Sequence, residues 1–143
     1  MAPKIIVRNK YGMLSSDFHL AISAGMFYFL LTFSTGFVLG VPRTLFIEPH
    51  IGVTAAVSIE APLMIVASWN ICNFVIYKLQ VPSTRMMRSL IGIVAFIMLM
   101  FAEFALSNVL GRSIIKHARL LLTIPGLIGL TAQVLFALFP LFV

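Results

Sequence analysis

Glu60 and Glu103 stand in the middle of long apolar runs, and acidic side chains in that setting do a narrow range of chemistry. They bind a proton, hold a cation or pair with a base. The chain has only four acidic residues, and these two sit where a carboxylate costs roughly 2.5–3.5 kcal/mol to insert into hydrocarbon. Glu60 lies nine residues past Ile51, about 13 Å along a helix, and Glu103 lies eight residues before Gly111, about 12 Å from its end. If consecutive helices pack side by side and antiparallel, both carboxyls reach one level in the outer half of the bilayer. Two carboxyls so placed cannot both ionise cheaply, which calls for a shared proton or an intervening cation.

Other polar residues could join them. Arg43 follows Pro42 and, if its loop folds back over the bundle mouth, can supply a counter-charge to Glu60; snorkelling to headgroups or local pairing with Glu48 are the simpler uses of its long stem. Gln133 is a hydrogen-bonding candidate for either acid. Arg112, His50 and Ser107 are secondary polar candidates, all near the same end of the spans. Hydrogen bonding of Glu60 and Glu103 to Ser68, Ser107, Gln133 or a backbone group, fixing helix register alone, competes with every functional reading. Pro62, two residues after Glu60, removes a backbone donor and favours a kink beside the acid.

Several chemistries are disfavoured. Neither glutamate has the Glu-x-x-His spacing of di-iron bundles, the three histidines lie at span ends, and no metal or cofactor is expected. Cys72 is the lone cysteine, so dithiol chemistry is out. Phosphate-loop, nucleophile-elbow and zinc-protease motifs are absent. A membrane enzyme acting on lipid headgroups therefore ranks behind both a carrier-like pocket and an accessory subunit.

The elements that must position these residues follow from hydropathy. The sequence is 61% hydrophobic and 10% charged, against about 25% charged in soluble domains. Four apolar stretches, about 18–41, 51–77, 89–110 and 120–143, each reach the roughly 20 residues that span a bilayer. Continuous runs such as Ile91–Met100 lack the alternation of a β-barrel. The expected fold is all-α: a membrane-embedded up-down-up-down four-helix bundle, residues 1–143 forming one domain, with short loops joining sequential neighbours. The connections Pro42–His50, Lys78–Arg88 and Gly111–Arg119 are read as loops, the first stiffened by two prolines. Residues 1–15 are expected to lie along the interface or to remain partly mobile.

Small residues at Ala21, Gly25, Thr32, Gly36 and Gly40, and at Gly126, Gly129 and Ala137, mark faces for close helix packing, within the chain or between two copies. The net charge of +6 comes from clusters at span ends. Lys4, Arg8, Lys10, Lys78, Arg85 and Arg88 fall on one side, against Arg43, Arg112, Lys116 and Arg119 on the other. That asymmetry puts both termini in the cytoplasm. The basic clusters suit lipid headgroups, not nucleic acid. Expected partners are the bilayer and either further copies of the chain or a larger membrane complex.

The segments Gly36–Arg43 and Glu60–Met64, with Ala102-Glu103 and Gly111-Arg112-Ser113, resemble a group of short four-span bacterial integral membrane proteins of unassigned function. The resemblance covers about residues 25–142. It implies a bacterial inner membrane and Arg43, Glu60, Glu103 and Arg112 as recurring polar features, and it implies no activity.

Overall fold

The computed structural model describes residues 15–143, and every described element is helical. The expectation for residues 1–15 falls, except for Ser15, outside the described residues. Four helices are long and apolar enough to cross a membrane: Ser15–Ile51, Val53–Lys78, Arg85–Val109 and Ile124–Phe142. The chain is a multi-pass membrane protein, its spans running antiparallel from one to the next as a bundle.

The first of these begins as α1 (Ser15–Pro42), with Asp17 in its first turn, where a negative charge meets the helix dipole favourably. The segment expected to be a stiff loop is helical instead. After Pro42 the chain passes through a π-helical turn, Arg43–Ile47, into the short α2 (Glu48–Ile51). Pro49 is absorbed because it stands in the first turn of α2, where a missing N–H breaks no bond. Gly52, at φ +86°, ends the segment in a conformation that a side chain would oppose. The second span, α3 (Val53–Lys78), contains Pro62, and the third is α4 (Arg85–Val109).

Most of the stretch Gly111–Arg119, also read as a loop, belongs to the helix α5 (Ile114–Leu121), capped by Ser113, whose hydroxyl accepts from Lys116 N at 3.2 Å. Thr123 then caps α6 (Ile124–Phe142), and Pro125 occupies its first turn. The last span accordingly begins at Ile124, not near residue 120.

Loop length suggested that sequential spans are neighbours. The structure departs from this at one joint. α1 packs on α3 and α4, and α6 packs on the same two helices, while α3 and α4 occupy opposite corners and do not pack together. Small residues set this arrangement. Gly25 brings α1 against Ile91 and Val94 of α4. Gly36 and Gly40 face Met64 and Glu60 of α3, and Gly92 of α4 meets the backbone of Ala137 in α6. The connection Leu79–Thr84 can reach about 20 Å when extended, enough for the diagonal of a bundle with 8–10 Å spacings. Arg88, buried in α4, braces that crossing by donating to the carbonyls of Pro82 (3.2 Å) and Val81 (3.4 Å).

At the centre, Tyr28 of α1 and Phe136 of α6 meet across the other diagonal. Their rings stack at 4.3 Å, and the Tyr28 hydroxyl donates to the Phe136 carbonyl at 2.9 Å. Cys72, Val75, Ile91 and Ala95 close around them.

Candidate functional site

The π-helical turn determines the first polar cluster. It places Arg43 so that one guanidinium contacts the carboxylates of both Glu48 and Glu60. Glu48 belongs to the next helical turn of the same segment, whereas Glu60 comes from the first half of α3, where its carboxyl lies beside Gly40. A Cβ at Gly40 would stand 3.8 Å from Glu60 Oε1, an ordinary contact distance, so the two helices approach closely here without crowding the carboxyl. The three side chains are only about a fifth exposed: 22% for Arg43 and 18% for each acid. π-turns are uncommon and concentrate at functional sites.

The second cluster spans α4 and α6. Gln133 Nε2 donates to Glu103 Oε1 at 2.6 Å. Around this pair, the side-chain oxygen of Gln133 and the hydroxyl of Ser107, one turn beyond Glu103, are shielded from solvent and meet no partner. His117 of α5 lies edge-on to Phe104 at 4.6 Å, and its Nε2 is likewise shielded and unmatched. This end of the bundle therefore gathers several polar atoms with hydrogen-bonding capacity to spare.

The pairing of Glu60 with Glu103, expected from side-by-side spans, is corrected here. Their helices stand at opposite corners, and each acid has its own partner. Thr131 and Ala132, just before Gln133, share a groove with Ser58, Ala61, Pro62 and Ile65 of α3. The Gln133 end of the second cluster thus lies near the turn of α3 that carries Glu60.

The remaining candidates are dispersed. His50 is exposed and its Nδ1 lies 2.7 Å from the Phe46 carbonyl. Arg112 is exposed just past α4, its backbone N–H bonded to the Ser107 carbonyl at 3.0 Å. Ser68 is buried near the bundle centre, away from both acids in sequence. Among the described residues no group of three or more histidine, cysteine or acidic side chains converges in a way that could hold a metal ion.

Glu48 is the local partner that the sequence offered to Arg43, brought into reach by a π-helical turn that the sequence did not signal. Two residues matter more than their sequence context suggested. Tyr28 carries a central hydrogen bond, signalled by a phenol deep in an apolar run. Arg88 braces a loop crossing; by sequence it is one more basic residue near a span end.

Comparison with known protein families, with curated proteins and with solved structures finds no match to this chain.

Proposed function

We propose that this is a small multi-pass protein of a bacterial inner membrane whose two polar clusters take up a proton or a small cation, including a cationic solute. The observation that carries the reading is the charge count. Arg43 is one positive charge held between two carboxyls, so with both ionised that cluster carries one uncompensated negative charge. Glu103 faces the neutral amide of Gln133, and ionised it adds another. An ion without a counter-charge in low dielectric is unfavourable, and a proton or cation is the simplest remedy at either place. Glu60 is the group that exchanges it in the first cluster, and Arg43 is its counter-charge and gate. Protonation of Glu60 loosens the tie between the π-turn and α3 while Glu48 keeps hold of Arg43. The basic residues at the span ends favour cytoplasmic termini, and the whole chain acts as one four-helix domain.

The test is proton or cation flux in proteoliposomes containing the purified protein, compared with Glu60→Gln, Glu103→Gln and the double variant. Flux in the wild type that falls in each single variant and vanishes in the double is the expected result. Unchanged flux in the double variant, or none in the wild type under any imposed gradient, removes the proposal.

A second reading, an accessory subunit of a larger membrane complex, draws on the shape of the surface. The grooves between α3 and α6 and between α4 and α6 are lined chiefly by aliphatic side chains, a surface suited to apolar contact more than to solute capture. It predicts a stoichiometric larger partner on gentle extraction, and a stable, monodisperse isolated protein counts against it.

A further inference from the structure

Several polar side chains on the outer faces of the spans have disposed of their hydrogen-bonding capacity locally. The hydroxyls of Ser34, Ser58 and Thr131 donate to carbonyls four residues back at 2.7–2.8 Å. One bond of that kind uses a hydroxyl's only donor. Asn70 and Asn73 cannot finish in the same way. Both are exposed on α3, and each amide nitrogen donates to the carbonyl four residues back, to Val66 at 2.8 Å and to Trp69 at 2.9 Å. Each still has a second N–H and a carbonyl oxygen, and among the described residues nothing meets either group.

Their place in the span makes this matter. Asn70 lies eight residues before Lys78, roughly 12 Å from the end of a helix about 39 Å long. With about 30 Å of hydrocarbon centred on that helix, Asn70 falls several Å inside it and Asn73 close to its edge. Open amides facing lipid tails have no hydrogen-bonding partner there. Asparagine is also too short to reach the headgroups as lysine or arginine does.

We infer that Asn70 and Asn73 form the centre of a homodimer interface, with α3 of one copy packed on α3 of a second. An amide is donor and acceptor at once, so two identical amides satisfy each other reciprocally. This self-complementarity favours a second copy over an unrelated partner, whose matching groups would have to be assumed. Both copies insert in the same direction, so their two-fold axis lies along the membrane normal and equal positions meet: Asn70 opposite Asn70, Asn73 opposite Asn73. The residues one turn to either side, Val66 at 61% exposure and Tyr77 at 78%, extend the contact along the same face. Most of the small-residue positions are already used inside the chain. Gly25, Gly36, Gly40 and Gly92 face neighbouring spans, which leaves the amides as the polar feature able to specify a register between copies.

The experiment uses the full-length protein at graded protein-to-lipid ratios. Wild type is expected to dimerise reversibly, and Asn70→Leu/Asn73→Leu to weaken that association roughly tenfold or more. Because both positions are exposed and leucine is the better helix former, the variant is expected to keep its fold. In a Cys72→Ala background, Asn73→Cys should oxidise to a disulfide-linked dimer in native membranes, whereas Ile97→Cys, exposed on α4, should not. A wild type that stays monomeric at every ratio overturns the inference. So does a dimer indifferent to the leucine pair, cross-linking at Ile97 in preference to Asn73, or a different protein found covering Asn70 and Asn73.

Discussion

Replacing Arg43 with glutamine tests the charge count on which the functional proposal stands. Arg43 serves two carboxylates, each side chain about a fifth exposed, so the cluster lies between two measured regimes. Exposed ion pairs contribute about 0–1 kcal/mol, and breaking a buried pair by removing one partner costs about 3–5 kcal/mol. Arg43→Gln strands two charges with limited access to water, and a loss of about 3 kcal/mol is expected. Glu60→Gln acts differently. It leaves Arg43 and Glu48 as a neutral pair, removes the excess negative charge and keeps an acceptor where the carboxylate stood, so its expected cost is within about 1 kcal/mol. Combining the two leaves only Glu48 uncompensated and should restore about 1 kcal/mol or more relative to Arg43→Gln alone. Reversible unfolding in bicelles, followed by steric trapping or by denaturant titration, measures all three variants on one scale. The ordering is the decisive output. If Glu60→Gln destabilises as much as Arg43→Gln, or if the double variant shows no recovery, the cluster does not hold a surplus negative charge and the reasoning fails.

Three further predictions rest on separate contacts. A Cβ at Gly92 would overlap the Ala137 carbonyl, whereas one at Gly129 meets nothing; Gly92→Ala should cost about 1–3 kcal/mol by the same unfolding assay, and Gly129→Ala should be neutral or slightly stabilising. Tyr28→Phe keeps the stack on Phe136 but deletes the bond to its carbonyl, for an expected loss of about 1 kcal/mol in thermal or denaturant unfolding. Since Glu60 and Glu103 have separate partners, the stability effects of Glu60→Gln and Glu103→Gln should add within about 0.5 kcal/mol. A double-mutant cycle with a larger coupling would place the two carboxyls in one shared site.

The sequence reveals the spans because a bilayer demands length and apolarity of every crossing segment, and the runs around Phe33, Val66, Ile97 and Leu135 meet that demand without help from their neighbours. It does not reveal which spans touch. A short loop limits reach but does not dictate adjacency, and Leu79–Thr84 is long enough for either an edge or a diagonal. The information was present in another form: glycines at 25, 36, 40 and 92 mark where backbones come closest, although a stripe of small residues does not name the helix that will fill it. The heights of Glu60 and Glu103 follow from the rise of a helix. Their directions around the bundle follow only from packing. The capped start of α5 had a readable signal in Ser113, overshadowed by the basic residues after it, while Pro42 and Pro49 pointed to a break where the chain continues through a different helical geometry.

That geometry is what joins the fold to the site. In a regular α-helix each residue advances about 100°, so side chains five apart diverge by about 140° and Arg43 could not share a face with Glu48. A π-helical turn closes its bonds between residues five apart, and here the backbone N–H of Glu48 bonds to the carbonyl of Arg43. The two side chains are thereby stacked on one face. Straightening the turn into an α-helix would carry Arg43 or Glu48 away from the other, while Gly52 and α3 continue to fix where Glu60 stands. The two contacts of Arg43 differ in kind: the one with Glu60 crosses from one helix to another, whereas the one with Glu48 stays beside the turn itself. On the functional proposal, loss of the first contact alone would part Arg43 from α3 while leaving it tied to Glu48 on its own helical turn.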